Sequence, residues 1–315
     1  NIFKLLEINQ NAINDENLKC DLASSAQLIF EEFLISILKR SKKTNYSSNL
    51  VYAGGCALNS LANMKLFDYF DNVFIPYAPG DSGGSIGSAL NFLSIKYQNF
   101  LNLNSPYLGP EYSQSHIDFD IKKFQFSKKI THKKFDNEDN LINEIVKLLM
   151  EDKVLGLFNG RMEFGARALG NRSIIASPIS SDMKDIINKK IKKRENFRPF
   201  APAVLEEEKS NWFSKSGSNP YMSNVEYVIE SKRIKIPAVT HFDGTGRVQS
   251  VSKKINANFY KIIEKFYNST GVPVLLNTSF NENEPIVLKP EEALSCFDRT
   301  DMDAIILGNS IILRD

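Results

Sequence analysis

Three arginines and three glycines fall within the fourteen residues Gly160–Ser173, directly after the apolar run Val154–Phe158. An arginine presents fixed N–H donors that grip phosphate or carboxylate as a fork. Glycine lets backbone pass close to a ligand where a side chain would collide. A strand emptying into such a loop predicts an oxyanion site, with Arg161, Arg167 and Arg172 as its donors. The alternative is an ordinary surface loop, and spacing alone weighs the two evenly.

Later loops carry the same chemistry. Lys192-Lys193-Arg194 leads into Phe197-Arg198-Pro199-Phe200, and Thr240–Gln249 holds His241, Asp243, Thr245 and Arg247. Cations at a helix C-terminus are favoured in any case, so Lys192 and Lys193 have a structural explanation that Arg198 lacks. His241 suits a phosphate contact or a proton carrier near neutrality; the bland reading is a structural histidine. The apolar run Val272–Leu276 empties into Asn277-Thr278-Ser279-Phe280-Asn281. Loops after strands gather at the C-terminal edge of an α/β sheet. Arginines converging there suit a substrate with several phosphate charges, such as ATP beside a second phosphorylated compound. Neutral Asn277 and Ser279 suit a small polar group such as an amide.

The elements that position these loops read as α/β. Asp21 is expected to cap a helix to about Lys39 with Leu22, Ala26, Ile29, Phe33, Ile37 and Leu38 inward. A buried strand Leu50–Ala53 precedes Gly54-Gly55 and a helical pattern through Asn59 to Leu66; a second strand, Val73–Pro76, precedes Gly80-Asp81-Ser82-Gly83-Gly84 and another helix. Strand, glycine pair, helix is a way of bringing a helix N-terminus to a phosphate. Asp81 suits a metal ion or hydroxyl, although a plain N-cap is its commoner role. Residues 98–140 lack periodicity and read as a domain junction, and their lysines (122, 123, 128, 129, 133, 134) read mainly as a solvated charge run. Beyond it come a helix over 141–149, strands at 154–158 and 173–176, and a helix after Asp182 with Met183, Ile186, Ile187 and Ile191 inward. A helix from about Ala257 is expected to stop at Gly271, and one from Pro290 precedes strands at 304–307 and 311–313.

Composition excludes several classes. A length of 315 residues suggests about two domains. Thirty-nine basic residues nearly balance 37 acidic ones, so the chain as a whole has no electrostatic footprint for nucleic acid. Cys20, Cys56 and Cys296 are scattered and odd in number, which favours a reducing cytoplasm. No run approaches the roughly eighteen apolar residues of a membrane span. Oligomeric state leaves no mark.

The long motifs GRMEFGARALGNRSI, IKKRENFRPFAPAVL, THFDGTGRVQSV and VPVLLNTSFNENEPIV resemble the C-terminal domain of the O-carbamoyltransferases, the family of nodulation and antibiotic carbamoyltransferases. Upstream, LVYAGGCALNSLANMKL and IPYAPGDSGGSIGSAL are similar to the end of that family's N-terminal domain. The resemblance runs in order over nearly the whole chain. It implies an α/β protein in two parts: residues 1–105 as the C-terminal part of an actin/hexokinase-like carbamoyl-transfer domain, and 106–315 as a carbamoyl-adenylate-forming domain like the threonylcarbamoyl-adenylate synthases (YrdC-like). Carbamoyl phosphate and ATP, with Mg2+, would give carbamoyl adenylate, and the carbamoyl group would pass to a hydroxyl of a small-molecule acceptor. Arg161, Arg167, Lys193, Arg198 and Arg247 would supply the concentrated positive charge. Arg172, Arg194, His241, Asn277, Thr278, Ser279 and Asn281 would bind substrate, and Gly54, Gly55 and Asn59 the adenylate. Asp81 matches a metal ligand of the family, whose other ligands are a His-x-x-x-His pair. Here His116, His132 and His241 include no two four apart, so Fe2+ is expected only in a longer polypeptide of which this chain would be the C-terminal portion. Ala166 stands where the family usually has proline. Two alternatives stay open: a tRNA threonylcarbamoylation-type factor, and a nucleotide-binding module without chemistry.

Overall fold

The computed structural model describes residues 15–44, 47–97, 105–215 and 217–315. The chain divides into two compact units, residues 1–52 with 61–74, and residues 53–60 with 75–315. The junction expected near residue 105 abuts 98–104, outside the described residues.

The first unit holds the helix Glu16–Thr44 and two short parallel strands, β1 (Asn49–Val51) and β2 (Asn72–Phe74). The helix starts five residues before Asp21, because Asp15 Oδ1 accepts from the backbone nitrogens of Asn17 and Leu18. Its inward stripe also differs from expectation. Glu31, Leu34 and Leu38 are buried, whereas Ile29, Phe33 and Ile37 are exposed. An ion pair from Lys65 and a hydrogen bond from Gln27 hold Glu31, so that stripe turns inward. The strand expected over Leu50–Ala53 is shorter and not buried.

The second unit is built on an eight-stranded mixed sheet of β3 (Ile130–Lys134), β4 (Leu155–Phe158), β5 (Arg172–Ala176), β6 (Ala201–Leu205), β9 (Gln249–Val251), β10 (Val274–Ser279), β11 (Ala304–Leu307) and β12 (Ser310–Arg314). Their order is β3-β12-β11-β4-β5-β10-β6-β9. A separate antiparallel pair, β7 (Glu226–Tyr227) and β8 (Thr245–Gly246), lies outside it. Central strands β4, β5, β6 and β11 are buried at every residue, including Arg172 and Ser173 at the start of β5.

Helix Glu138–Met150 begins where Asn137 Oδ1 accepts from Asp139 and Asn140, and it buries Ile142, Ile145, Val146 and Leu149. It packs on helix Ala257–Thr270, which is capped by Asn256 and ends at Gly271 with φ +75°. The stop expected at Gly271 is there because only glycine enters that conformation without strain. Residues 98–140, read from sequence as lacking periodicity and as a domain junction, contain helix Gln114–Lys123 and edge strand β3. β3 escaped notice because four of its five residues are exposed, so no apolar alternation marks it. Lys128, Lys129, Lys133 and Lys134 pair with Asp301, Asp315, Glu144 and Asp118, which makes this run a solvated, neutralised face.

Candidate functional site

The strand register brings the predicted loops to one sheet edge. Phe158 at the end of β4 pairs with Arg172 at the start of β5; Ser279 at the end of β10 pairs with Ser173; Asn277 pairs with Ala201 at the start of β6, and Ala203 with Gln249 at the start of β9. The C-terminal edge of a parallel sheet was the expectation. Within the eight-stranded sheet only β4–β11 and β6–β9 are parallel, so the edge mixes two strand ends with three strand starts. Its loops still gather in one place.

They enclose a cleft of about 360 Å³ lined by Arg167, Arg194, Arg198, His241, Arg247, Asn277, Thr278 and Ser279, with Phe200, Met222 and Val225 as its apolar wall. Arg167 donates to the carbonyl of Leu58 at 3.2 Å. Arg194 donates from Nε to Asn188 Oδ1 at 2.7 Å and lies over the ring of Phe200. Arg198 is exposed and pairs with Glu195 at 2.8 Å. Arg247 Nε is buried without a hydrogen-bond partner among the described residues. Among those residues Arg167, Arg194 and Arg247 form no ion pair with a carboxylate. Burial, then the like charges of Arg167 and Arg194, pulls the Arg247 guanidinium down from its usual range. Arg167 and Arg194 both repel Arg247, Glu195 offsets part of the charge on Arg194, and a polyanion relieves the remaining repulsion. Burial also holds His241 below its ordinary value, and its Nδ1 lies 3.1 Å from Thr245 Oγ1.

The loop carrying Arg167 is shaped by two residues whose roles are internal. Glu163 Oε1 accepts from the backbone nitrogens of Leu169, Asn171 and Arg172 at 2.7, 2.7 and 3.3 Å. Arg172 is fully buried; it donates to the carbonyls of Asn159, Gly160, Asn171 and Pro110 and stacks 3.6 Å from the centroid of Phe158. Its guanidinium therefore holds the loop and does not line the cleft. Gly170 has φ +111°, and a Cβ there would lie 2.3 Å from the Phe259 ring, so the loop can make this approach only with glycine.

A second hollow of about 630 Å³ adjoins the first, sharing Arg194, Arg198 and Ser279 and adding Lys192, Lys193, Asn281 and Glu282. Helix Met183–Ile187 runs into a π turn Asn188–Lys192, and the chain leaves it through Lys193 at φ +44°. The turn buries Lys192, whose Nζ donates to the carbonyls of Ser279 and Asn281 and to Asn281 Oδ1, each at 2.7 Å. Burial first, then Arg194, holds its pKa down to about 7. Lys193 instead pairs with Glu282 at 2.7 Å.

Several sequence-named residues lie elsewhere. Arg161 is exposed and lines neither hollow; its carbonyl accepts from Asn171 Nδ2. Gly54, Gly55 and Asn59 also line neither, and the helical pattern expected after the glycine pair is broken into Gly55–Leu58, Ser60–Met64 and Lys65–Asp68. Asp81 is exposed just before helix Ser82–Tyr97. No group of three His, Cys, Asp or Glu side chains among the described residues forms a metal site, so the residues around Asp81 do not fit iron. Three contributors were missed from sequence: Glu163, Lys192 and Gln249. An acidic residue in a glycine-rich loop, a lysine in a basic run and a glutamine after an arginine carry no distinguishing signal.

The fold and site together are a mixed α/β unit with an arginine-lined cleft at one sheet edge. The carbamoyltransferase C-terminus family matches residues 146–314 and the carbamoyltransferase N-terminus family residues 1–90. The chain belongs to the carbamoyltransferase family. It is 36% identical to nodulation protein NolNO of Sinorhizobium fredii, over 99% of this chain and 47% of that protein. Nodulation protein NolO of Bradyrhizobium diazoefficiens is 35% identical over 93% of this chain and 54% of its own length. The chain thus spans about half the length of the curated relatives it matches. Full-length HypF in its phosphate- and nucleotide-bound form aligns with 59% of this chain and 23% of its own at 18% identity and a TM-score of 0.37, too slight to carry an argument. No helix among the described residues is long and apolar enough to cross a membrane.

Proposed function

We propose that the chain carries the activating half of an ATP-dependent O-carbamoyltransferase. The observation that carries this reading is the convergence of Arg167, Arg194 and Arg247 on one cleft, none in an ion pair with a carboxylate among the described residues, beside the neutral amide of Asn277. Carbamoyl phosphate and ATP are both polyanions, and bringing them together requires such a field. In the reaction, water releases the phosphate of carbamoyl phosphate, the carbamate oxygen bonds to the α-phosphorus of ATP, and pyrophosphate leaves. An acceptor hydroxyl then takes the carbamoyl carbon, losing its proton, and AMP departs. Arg194, Arg198 and Arg247 hold the phosphates as charge shifts onto pyrophosphate, Arg167 the phosphate of carbamoyl phosphate, and Lys192 keeps Ser279 and Asn281 at the shared wall. Mg2+ enters as the counter-ion of ATP, which further neutralises its phosphates.

The reading keeps residues 1–105 as part of an actin/hexokinase-like transfer domain and 106–315 as the adenylate-forming domain; every strand of the large sheet lies in the latter range. Incubating the chain with ATP and carbamoyl phosphate tests it through pyrophosphate release, expected only with both present. Turnover with threonine and bicarbonate in place of carbamoyl phosphate would instead mark a threonylcarbamoylation factor. ATP binding with no turnover would mark a binding module.

A further inference from the structure

Two backbone carbonyls fix the orientation of two side-chain amides, Asn277 in the cleft wall and Gln249 hydrogen-bonded to it. Gln249 Nε2 donates to Leu169 O at 2.8 Å, and Asn277 Nδ2 donates to Ala168 O at 3.2 Å. A carbonyl only accepts, so neither amide can be turned over without setting oxygen against oxygen. Gln249 is left presenting Oε1, which accepts from Asn277 Nδ2 at 2.7 Å. Both side chains are buried, at 2% and 1% exposure. Gln249 lies opposite Ala203 on β6, and Asn277 opposite Ala201. The small β6 residues leave room for Gln249 to reach across that strand. With Nδ2 committed twice, Asn277 Oδ1 has no partner among the described residues. A buried acceptor without a donor is costly.

We propose that Gln249 makes the cleft select a phosphorylated ligand bearing an amide N–H over its methyl counterpart, by locking Asn277 as a hydrogen-bond acceptor. The inference rests on the carbamoyl phosphate reading and deepens it. The arginines recognise the anionic end of any acyl phosphate and do not distinguish NH2 from CH3. Asn277 Oδ1 makes that distinction, since a methyl group of nearly the same size leaves the acceptor unpaired. Gln249 touches no reacting atom; it is a positioning residue. An asparagine free to turn would offer Nδ2 as readily as Oδ1 and would lose the selection.

Phosphonoacetamide and acetonylphosphonate form a hydrolysis-resistant pair that differs in this NH2 and CH3, and both can be titrated calorimetrically into the 315-residue chain. The chain is expected to bind the amide about tenfold more tightly, the worth of one buried hydrogen bond. Gln249→Met should bring the ratio near one while changing the ketone affinity less than about twofold, a pattern that general loosening of the site would not give. Equal binding of both compounds by the unmodified chain overturns the inference and leaves the carbamoyl phosphate reading standing. So does an undiminished amide preference in Gln249→Met. Binding of neither compound removes the carbamoyl phosphate reading and this inference with it. The comparison on the unmodified chain decides the matter even where Gln249→Met folds poorly.

Discussion

Glu163 Oε1 lies 2.7 Å from the backbone nitrogen of Asn171, eight residues further along the same loop. Together with its bonds to Leu169 and Arg172, this contact closes the loop that carries Arg167. Removing the acceptor leaves three buried N–H groups unpaired, at about 1 kcal/mol each. Glu163→Ala should therefore lose about 3 kcal/mol in urea unfolding, and Glu163→Gln, which keeps an oxygen there, less than about 1 kcal/mol. Burial raises the Glu163 pKa above 4.5, so its ionisation lowers stability as pH climbs through the window above that value. Glu163→Gln should remove this slope. Equal losses in the two variants would show that the oxygen does not hold the loop.

Arg161 and Arg167 look alike in sequence, each within one or two residues of a glycine, yet only Arg167 lines the cleft. Arg167→Ala should weaken phosphonoacetamide binding by about tenfold, whereas Arg161→Ala should change it less than about twofold. Isothermal titration of both variants checks this, and a reversed order would move the anion site to the outer side of the loop.

That pair also shows what could be read from the chain and what could not. The gathering of Arg167, Arg194, Arg198 and Arg247 was legible, because each lies on a polar loop beside an apolar run. Helix Ala257–Thr270 with its stop at Gly271, and strands β4, β5, β11 and β12, were legible from local pattern. Which way each arginine turns was not legible, since that depends on Glu163 tying a loop to itself. The mixed sheet order was hidden too, because β6 and β9 carry no more signal than any short apolar run. In the helix Glu16–Thr44 two apolar stripes compete, and a single buried carboxylate, Glu31, marks which one is inward.

Lys192 should give the hollow beside the cleft a pH dependence. Its pKa is held down to about 7, mainly by burial. In the unliganded chain the stability linked to this group is missing below about 7 and gained as pH rises from there to 10.5, where the unfolded lysine also loses its proton. A polyanion favours the charged form and reverses the trend for binding. Pyrophosphate should bind with proton uptake near neutrality and lose affinity as pH rises above 7. Calorimetry in buffers of different ionisation enthalpy measures that proton. Lys192→Met should flatten the profile between pH 7 and 9, and an unchanged profile would assign the proton to another group.

Arg247 combines a buried Nε and two cationic neighbours, and among the described residues it has neither a partner for that Nε nor a paired carboxylate. Such an arrangement works against the unliganded fold, because desolvation and repulsion both oppose the charged form. Arg247→Gln keeps donors at the position and removes the charge. It should raise stability by about 1 kcal/mol, seen as roughly 2–4 °C in the melting temperature. The same substitution should weaken pyrophosphate binding at least about tenfold, since one of three converging charges is gone. The unmodified chain should gain thermal stability on adding pyrophosphate, and the variant should gain much less. A variant that melts lower than the unmodified chain without ligand would mean that Arg247 holds the fold together, and the strain attributed to the arginine cluster would then be absent.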